Sequence, residues 1–240
     1  MNQLGLFAKF WQPGAVKTRL GVKIGNAAAC RLYRCFLFHL LEQLANCGHE
    51  RDVVFSPRCR ESDFQNSVSA AWGFCPQTDG DLGDRMGNYF RIRFKGSSSE
   101  KYGQLKKATK VVVIGADCPL LSSKVIDQAI NMLDQVPVVL GPSQDGGYFL
   151  IGMRERCYDV FQGVHWSSPS VLDQTIERLT HAKTAFGLLD KMNDIDELDD
   201  LRLLSAQLQQ PIGFKNKYQH LREEVELALA QAHLDQESEL

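Results

Sequence analysis

The sequence predicts a single-domain α/β fold in which a mostly parallel sheet carries helices on both faces. Three observations lead there. Short apolar runs alternate with longer stretches of helical periodicity along the 240 residues, the pattern of successive strand and helix units. Val111-Val112-Val113-Ile114 is apolar without alternation, as a central strand covered on both faces requires; a half-exposed antiparallel strand would alternate. The chain is long enough to bury one large core, and no internal repeat divides it.

Taken in order, strands are expected at Leu4–Ala8, Asp52–Ser56, Lys110–Gly115, Val136–Gly141 and Tyr148–Gly152, each a short apolar run with strand-forming residues. The clearest helix starts at the cap candidate Asn26 and repeats Leu32, Phe36, Leu40 and Leu44 every fourth residue, with Tyr33, Leu37 and Leu41 widening the stripe. Further helices are expected at Gly83–Arg93, Ser122–Leu133, Pro169–Leu179 and Glu197–Leu208. Between Gly96 and Thr109 the composition turns to Gly, Ser and Lys, which buries little and reads as a mobile surface loop. Phe214–Leu240 is polar and acidic, yet Leu221, Val225, Ala228 and Ala232 keep helical spacing, so a final helix with a frayed end is expected.

Composition narrows the function. Lys plus Arg number 27 against 29 Asp plus Glu, so no overall positive field exists to hold a nucleic acid. The seven cysteines are odd in number, scattered and without a C-x-x-C pair, which signals neither a disulfide framework nor a zinc knuckle and fits a reducing cytoplasm. The N-terminus has no leader-like pattern, and the apolar stretch Phe36–Leu41 falls far short of the ~20 residues of a membrane span, so a cytoplasmic protein is expected. No H-E-x-x-H or G-x-S-x-G pattern supports a zinc or serine hydrolase.

Four segments could carry chemistry. Gln12-Pro13-Gly14-Ala15-Val16-Lys17-Thr18-Arg19-Leu20 follows the first strand, where α/β sheets place ligands. Its Pro13-Gly14 turn can expose backbone N–H groups, and Lys17 and Arg19 offer a point charge and a planar fork to a diphosphate; the alternative is an ordinary turn with solvated basic side chains. Asp117 ends the buried run Val111–Ile114 and is placed to hold Mg²⁺ or Mn²⁺ beside a diphosphate, or else to cap the helix after Pro119. Asp145, in Ser143-Gln144-Asp145-Gly146-Gly147-Tyr148, could deprotonate or anchor an acceptor hydroxyl, or could make a hairpin turn. Asp194 and Asp196 fall on one side of an extended segment and could complete a metal site, whereas Asp199 and Asp200 belong to the first turn of the next helix; an acidic cap with no ion explains the cluster equally. Two weaker signals are Asp79–Met86, whose glycines and acids suit ribose or base recognition, and Trp166, which could stack on a sugar or lie in the core.

Together, F-A-K-x-x-x-P-G-x-V-K-T-R-L at Phe7–Leu20, G-D-L-G-D-R-M at Gly80–Met86, V-V-V-I-G-A-D-C-P at Val111–Pro119, G-P-x-x-D-G-G-Y at Gly141–Tyr148 and D-I-D-E-L-D-D-L at Asp194–Leu201 resemble the GT-A-fold glycosyltransferase-like family associated with arsenosugar biosynthesis. The motifs are also similar to those of the guanylyltransferases that build molybdenum and deazaflavin cofactors. The resemblance implies a nucleotide-diphospho-sugar transferase sheet over residues 1–211 with a helical extension over 212–240, and transfer of a glycosyl group to a small hydroxyl-bearing acceptor. Nucleotidyl transfer with pyrophosphate release is the alternative, and a non-catalytic nucleotide-sugar binder the third. The expected nucleotide site is Ala8, Pro13, Gly14, Lys17, Arg19, Asp81, Gly83 and Arg85; the acceptor site is Asp145, Gly146, Gly147, Tyr148 and Trp166; Asp117, Asp194 and Asp196 would hold Mg²⁺ or Mn²⁺; Lys17, Arg19 and Asp145 would be catalytic. Phe10-Trp11-Gln12 and Cys118 depart from the family pattern, which bears on the shape of the base pocket.

Overall fold

The computed structural model describes residues 1–99, 103–105, 107–209 and 218–237. Its chain order is β1 (Asn2–Lys9), α1 (Thr18–Ile24), α2 (Asn26–Leu44), β2 (Glu50–Ser56), α3 (Glu61–Ser67), β3 (Gly73–Pro76), α4 (Leu82–Lys95), β4 (Ser97–Ser99), β5 (Gly103–Leu105), β6 (Lys110–Ile114), α5 (Ser123–Met132), β7 (Val138–Pro142), β8 (Tyr148–Arg154), α6 (Val171–His181), β9 (Phe186–Leu188), α7 (Leu198–Leu208) and α8 (Gln219–Glu237). Seven strands form one sheet in the order β3-β2-β1-β6-β8-β7-β9. All neighbours pair in parallel except β8, which runs against both β6 and β7. The fold is thus the expected single-domain α/β sheet, mostly parallel.

The unbroken apolar run of β6 is explained by its two covered faces. Val112 and Ile114 join a core with Leu4, Leu6, the α2 residues Leu37, Leu40 and Leu44, Phe64 of α3, and Ile126 and Ile130 of α5. Val111 and Val113 point to the opposite core, with Met86, Tyr89, Phe90 and Phe94 of α4 and Leu179 of α6. Alternate side chains of one strand therefore feed two cores. A third cluster lies outside the sheet, where Leu20 and Ile24 of α1, Leu32 and Phe36 of α2, and Leu201 and Leu204 of α7 meet Leu221, Val225 and Ala228 of α8. The final helix has no core of its own; it completes one made by α1, α2 and α7. The boundary expected at 211/212 lies outside the described residues.

Beneath the sheet, Asp52 of β2 accepts hydrogen bonds from Gln3 Nε2 at 2.9 Å and Tyr89 Oη at 2.6 Å and pairs with Arg93 of α4. Gly5 is required here, because a Cβ would collide with the Tyr89 ring.

Three expectations are corrected. Asn26 is the first residue of α2 and makes no side-chain cap; the cap position is Gly25, at φ +77°, where a side chain would be strained. The Gly/Ser-rich stretch after Gly96 holds the antiparallel pair β4–β5 where it is described, since backbone hydrogen bonding needs no apolar side chain. The short α1 and the strands β3 and β9 were not anticipated.

Candidate active site

The loops after β1, β3, β6 and β7 open on one edge of the sheet and enclose a cavity of about 840 Å³. A parallel sheet brings its carboxyl ends to one side, and this is where its ligands bind. Lining it are Ala8, Lys17, Arg19, Asp81, Arg85, Asp117, Asp145, Gly147, Tyr148, Trp166, Asp194 and Asp196, so most of the expected residues converge. Pro13, Gly14, Gly83 and Gly146 do not line it.

Lys17 precedes α1 at φ +48°, in the left-handed region that lysine rarely occupies. Its side chain is only 2% exposed, and the ammonium is paired with Asp117 and, at 2.8 Å, with Asp196 Oδ1. Burial pulls its pKa down, but the two carboxylates outweigh that and hold it above the ordinary lysine value. Arg19 differs: 61% exposed, it stands at the rim with Nη1 4.0 Å from Glu197 Oε1. Asp117 does not cap α5, whose cap position is Ser122.

The segment carrying Asp194 is tied at two points. Met192 N donates to Pro142 O at 3.1 Å, beside the β7 end, and Ile195 N donates to Asp117 O at 3.0 Å, beside the β6 end. Asp194 is thereby suspended between the two strand ends. Asp145, Asp194 and Asp196 each bring a carboxylate oxygen within 4.8 Å of the others. Asp145 is oriented by Ser143 Oγ and by Gly147 N at 2.8 Å, so it makes the turn and faces the cavity at once. Asp117 lies beside this group, joined to Asp196 through the Lys17 ammonium that both carboxylates share. Asp200 accepts from Asp196 N at 3.1 Å and Glu197 N at 2.8 Å, which caps α7 and leaves Asp194 and Asp196 for the cavity.

Burial, the negative charge of Asp145, and those of Asp196 and Asp117 push the Asp194 carboxyl up to about 7. The folded protein therefore retains a proton that the unfolded chain has released from about pH 4 upward. Stability without divalent cations should fall as pH rises from about 4 to about 7 and level off above, and Asp194→Asn should remove that contribution. Chelator-treated melts across that range test it; identical slopes in the two proteins would refute it.

At the other end of the cavity Asp81 caps α4, accepting from Asp84 N at 2.8 Å while Asp84 accepts from Asp81 N. Gln77, which sequence reasoning missed, donates to Val54 O at 2.8 Å and accepts from Arg85 Nη1 at 3.2 Å, bracing β2 against α4. No signal pointed to it, because the four-residue strand β3 that places it shows no period in the sequence. Gly83 lies in an adjoining cavity of about 420 Å³, and its missing side chain admits the Trp166 indole, whose Cζ2 would be 2.7 Å from a Cβ. Trp166 Nε1 is buried without a hydrogen-bond partner. Gly146, at φ +88°, presses on the Pro169 carbonyl, where any Cβ would clash. Phe10 and Trp11 stack on each other at 4.7 Å with Arg60 over Phe10 and Arg34 over Trp11, and neither lines the cavity; that departure braces the loop and leaves the pocket wall alone.

A family model described as "Uncharacterized protein conserved in bacteria (DUF2064)" matches residues 40–168. The chain is 30% identical to a protein from Desulfovibrio desulfuricans G20 provisionally named a nucleotide-diphospho-sugar transferase; the match covers 96% of this chain and 97% of that one, with a TM-score of 0.84. Two further structures share the fold at 12% identity: 4-diphosphocytidyl-2C-methyl-D-erythritol synthase from Anaerococcus prevotii DSM 20548, over 88% and 96% of the chains at TM-score 0.56, and CMP:2-keto-3-deoxy-manno-octonic acid synthetase complexed with CTP, over 86% and 98% at 0.52. No curated protein matches the sequence.

Proposed function

The chain belongs to the DUF2064 family, and from that premise and its cleft we propose a cation-dependent transferase that moves a glycosyl group from a nucleotide-diphospho-sugar to a small hydroxyl-bearing acceptor. One observation carries the reading: a buried lysine and a rim arginine share a cavity of about 840 Å³ with three clustered carboxylates. Cations of both kinds beside an oxygen-rich acid cluster suit a diphosphate and a hard divalent ion. The reading agrees with the name given to the Desulfovibrio protein.

The donor set fits Mg²⁺ or Mn²⁺. All three ligand side chains offer oxygen, and Asp194 is held well above its ordinary pKa by burial and by the negative charge of Asp145 beside it. Asp145, Asp194 and Asp196 would hold the ion, which supplies charge stabilisation for the departing diphosphate. Arg19 at the rim binds and orients the diphosphate. Asp145 and Tyr148 form the acceptor wall, and the Trp166 ring offers a face for a sugar. The arsenosugar association rests on the sequence motifs.

The nature of the released nucleotide tests the proposal. Incubation with UDP-, GDP- and ADP-sugars or with the four NTPs, with Mn²⁺ and a polyol acceptor pool, should give a nucleoside diphosphate from one sugar donor. Pyrophosphate from an NTP would establish nucleotidyl transfer instead, and ligand stabilisation without turnover would establish a binder.

A further inference from the structure

We propose that Lys17 is an internal cation in competition with the divalent ion, and that the ion gains Asp196 only as the Lys17 ammonium is displaced toward the anionic ligand. The inference rests on the reading of Asp145, Asp194 and Asp196 as the cation-holding set. Its basis is that one carboxylate serves two arrangements. Asp196 belongs to the triad whose oxygens lie within 4.8 Å, and its Oδ1 also takes the Lys17 ammonium at 2.8 Å. A monovalent ammonium and a divalent ion cannot both neutralise that side chain closely without repelling one another.

The asymmetry of exposure supports displacement of the lysine. Asp117 and Asp196 remain 46% and 39% exposed, while the Lys17 side chain is 2% exposed. The carboxylates are open to the cavity, and the ammonium reaches them from beneath it. Lys17 also stands at the cap position of α1 in a left-handed conformation, held there by its carbonyl, which accepts from Gly21 N at 2.8 Å, while its side chain makes no cap. An ammonium on a flexible four-carbon stem can move between carboxylate and diphosphate without moving α1. The consequence is linkage: a diphosphate that draws Lys17 away raises the affinity for the divalent ion, and the ion raises affinity for the diphosphate by the same factor.

Mn²⁺ binding to the isolated protein, read from the electron paramagnetic signal of free Mn²⁺, tests this without turnover. Lys17→Met should bind Mn²⁺ about tenfold or more tightly than the parent, because one competitor has gone. Arg19→Met removes a charge of the same sign that touches neither Asp117 nor Asp196, and should change affinity by less than about threefold, the scale left to screened surface charge. Equal tightening in both variants, or unchanged or weaker binding in Lys17→Met, overturns the proposal while leaving the cation site standing. Absence of Mn²⁺ binding from every protein overturns both the proposal and the cation-dependent reading. The native chain supplies a second measurement. With ¹⁵N-labelled lysine, the buried Lys17 ammonium should give an exchange-protected signal that shifts or is lost when Mg²⁺ is added to saturation; a signal that persists unchanged overturns the proposal.

Discussion

Asp194→Asn is expected to lower cation-dependent turnover by roughly 10²–10³-fold, the scale of removing one fixed electrostatic contact from a transition state. At about pH 8 in chelator it should nevertheless melt above the parent, because an ionised Asp194 is held there against its neighbours. The two effects share a cause. Burial and the charges of Asp145 and Asp196 make Asp194 costly when no cation is bound and useful when one is. Saturating Mn²⁺ should reverse the order of the melting temperatures, since only the parent gains full binding energy. Paired melts with chelator and with Mn²⁺, together with initial rates, decide it: full activity in the variant would sink the assignment, and a lower melting temperature in chelator would show that Asp194 is a structural support.

Asp52→Ala is expected to destabilise the protein by about 3–5 kcal/mol, because it leaves the Arg93 guanidinium buried without its counter-charge. The side chains of Asp52 and Arg93 are 7% and 6% exposed, and Tyr89 Oη and Gln3 Nε2 would lose their shorter hydrogen bond and keep only the Leu4 carbonyl, at 3.4 and 3.3 Å. For a chain of this size that loss corresponds to roughly 6–20 °C in melting temperature. Replacing both partners with apolar residues, as in Asp52→Leu with Arg93→Met, should recover most of it, since burial raises the Asp52 pKa despite Arg93 beside it and the pair gains little over hydrophobic packing. Thermal melts of the single and double variants measure the difference. A loss below about 1 kcal/mol in Asp52→Ala would mean that the network relaxes into water. None of these residues lines the large cavity, so ligand affinity of the folded fraction should be unchanged.

The elements legible in the sequence are those whose pattern states their burial. β6 shows both covered faces in four consecutive apolar residues, and α2 shows its stripe in leucines and phenylalanines spaced by four. β3 and β9 were hidden because four and three residues, including Gly73 and Gly187, are too few to display a period. The reversal of β8 was hidden because apolar residues carry no strand direction. Within the site, strand-end position singled out Asp117 and Asp145, and the charged motif singled out Lys17. Their partnerships did not follow: Lys17 read as a cation for a diphosphate, with no sign that it is buried against Asp117 and Asp196, and the bonds from Met192 and Ile195 to the two strand ends that bring Asp194 to Asp145 have no local signature.

The third core cluster gives the chain an order of completion. Helices α1 and α2, which frame the Lys17 loop, lie far from α8 along the chain, yet the surface they cover is finished by Leu221, Val225 and Ala228 of α8. Leu20, Ile24, Leu32 and Phe36 are therefore fully covered only once this contact of long sequence separation has closed. The α8 seam thus ties the setting of the basic loop to a distant part of the chain, and a change that loosens that seam reaches the ligand cavity without touching any residue that lines it.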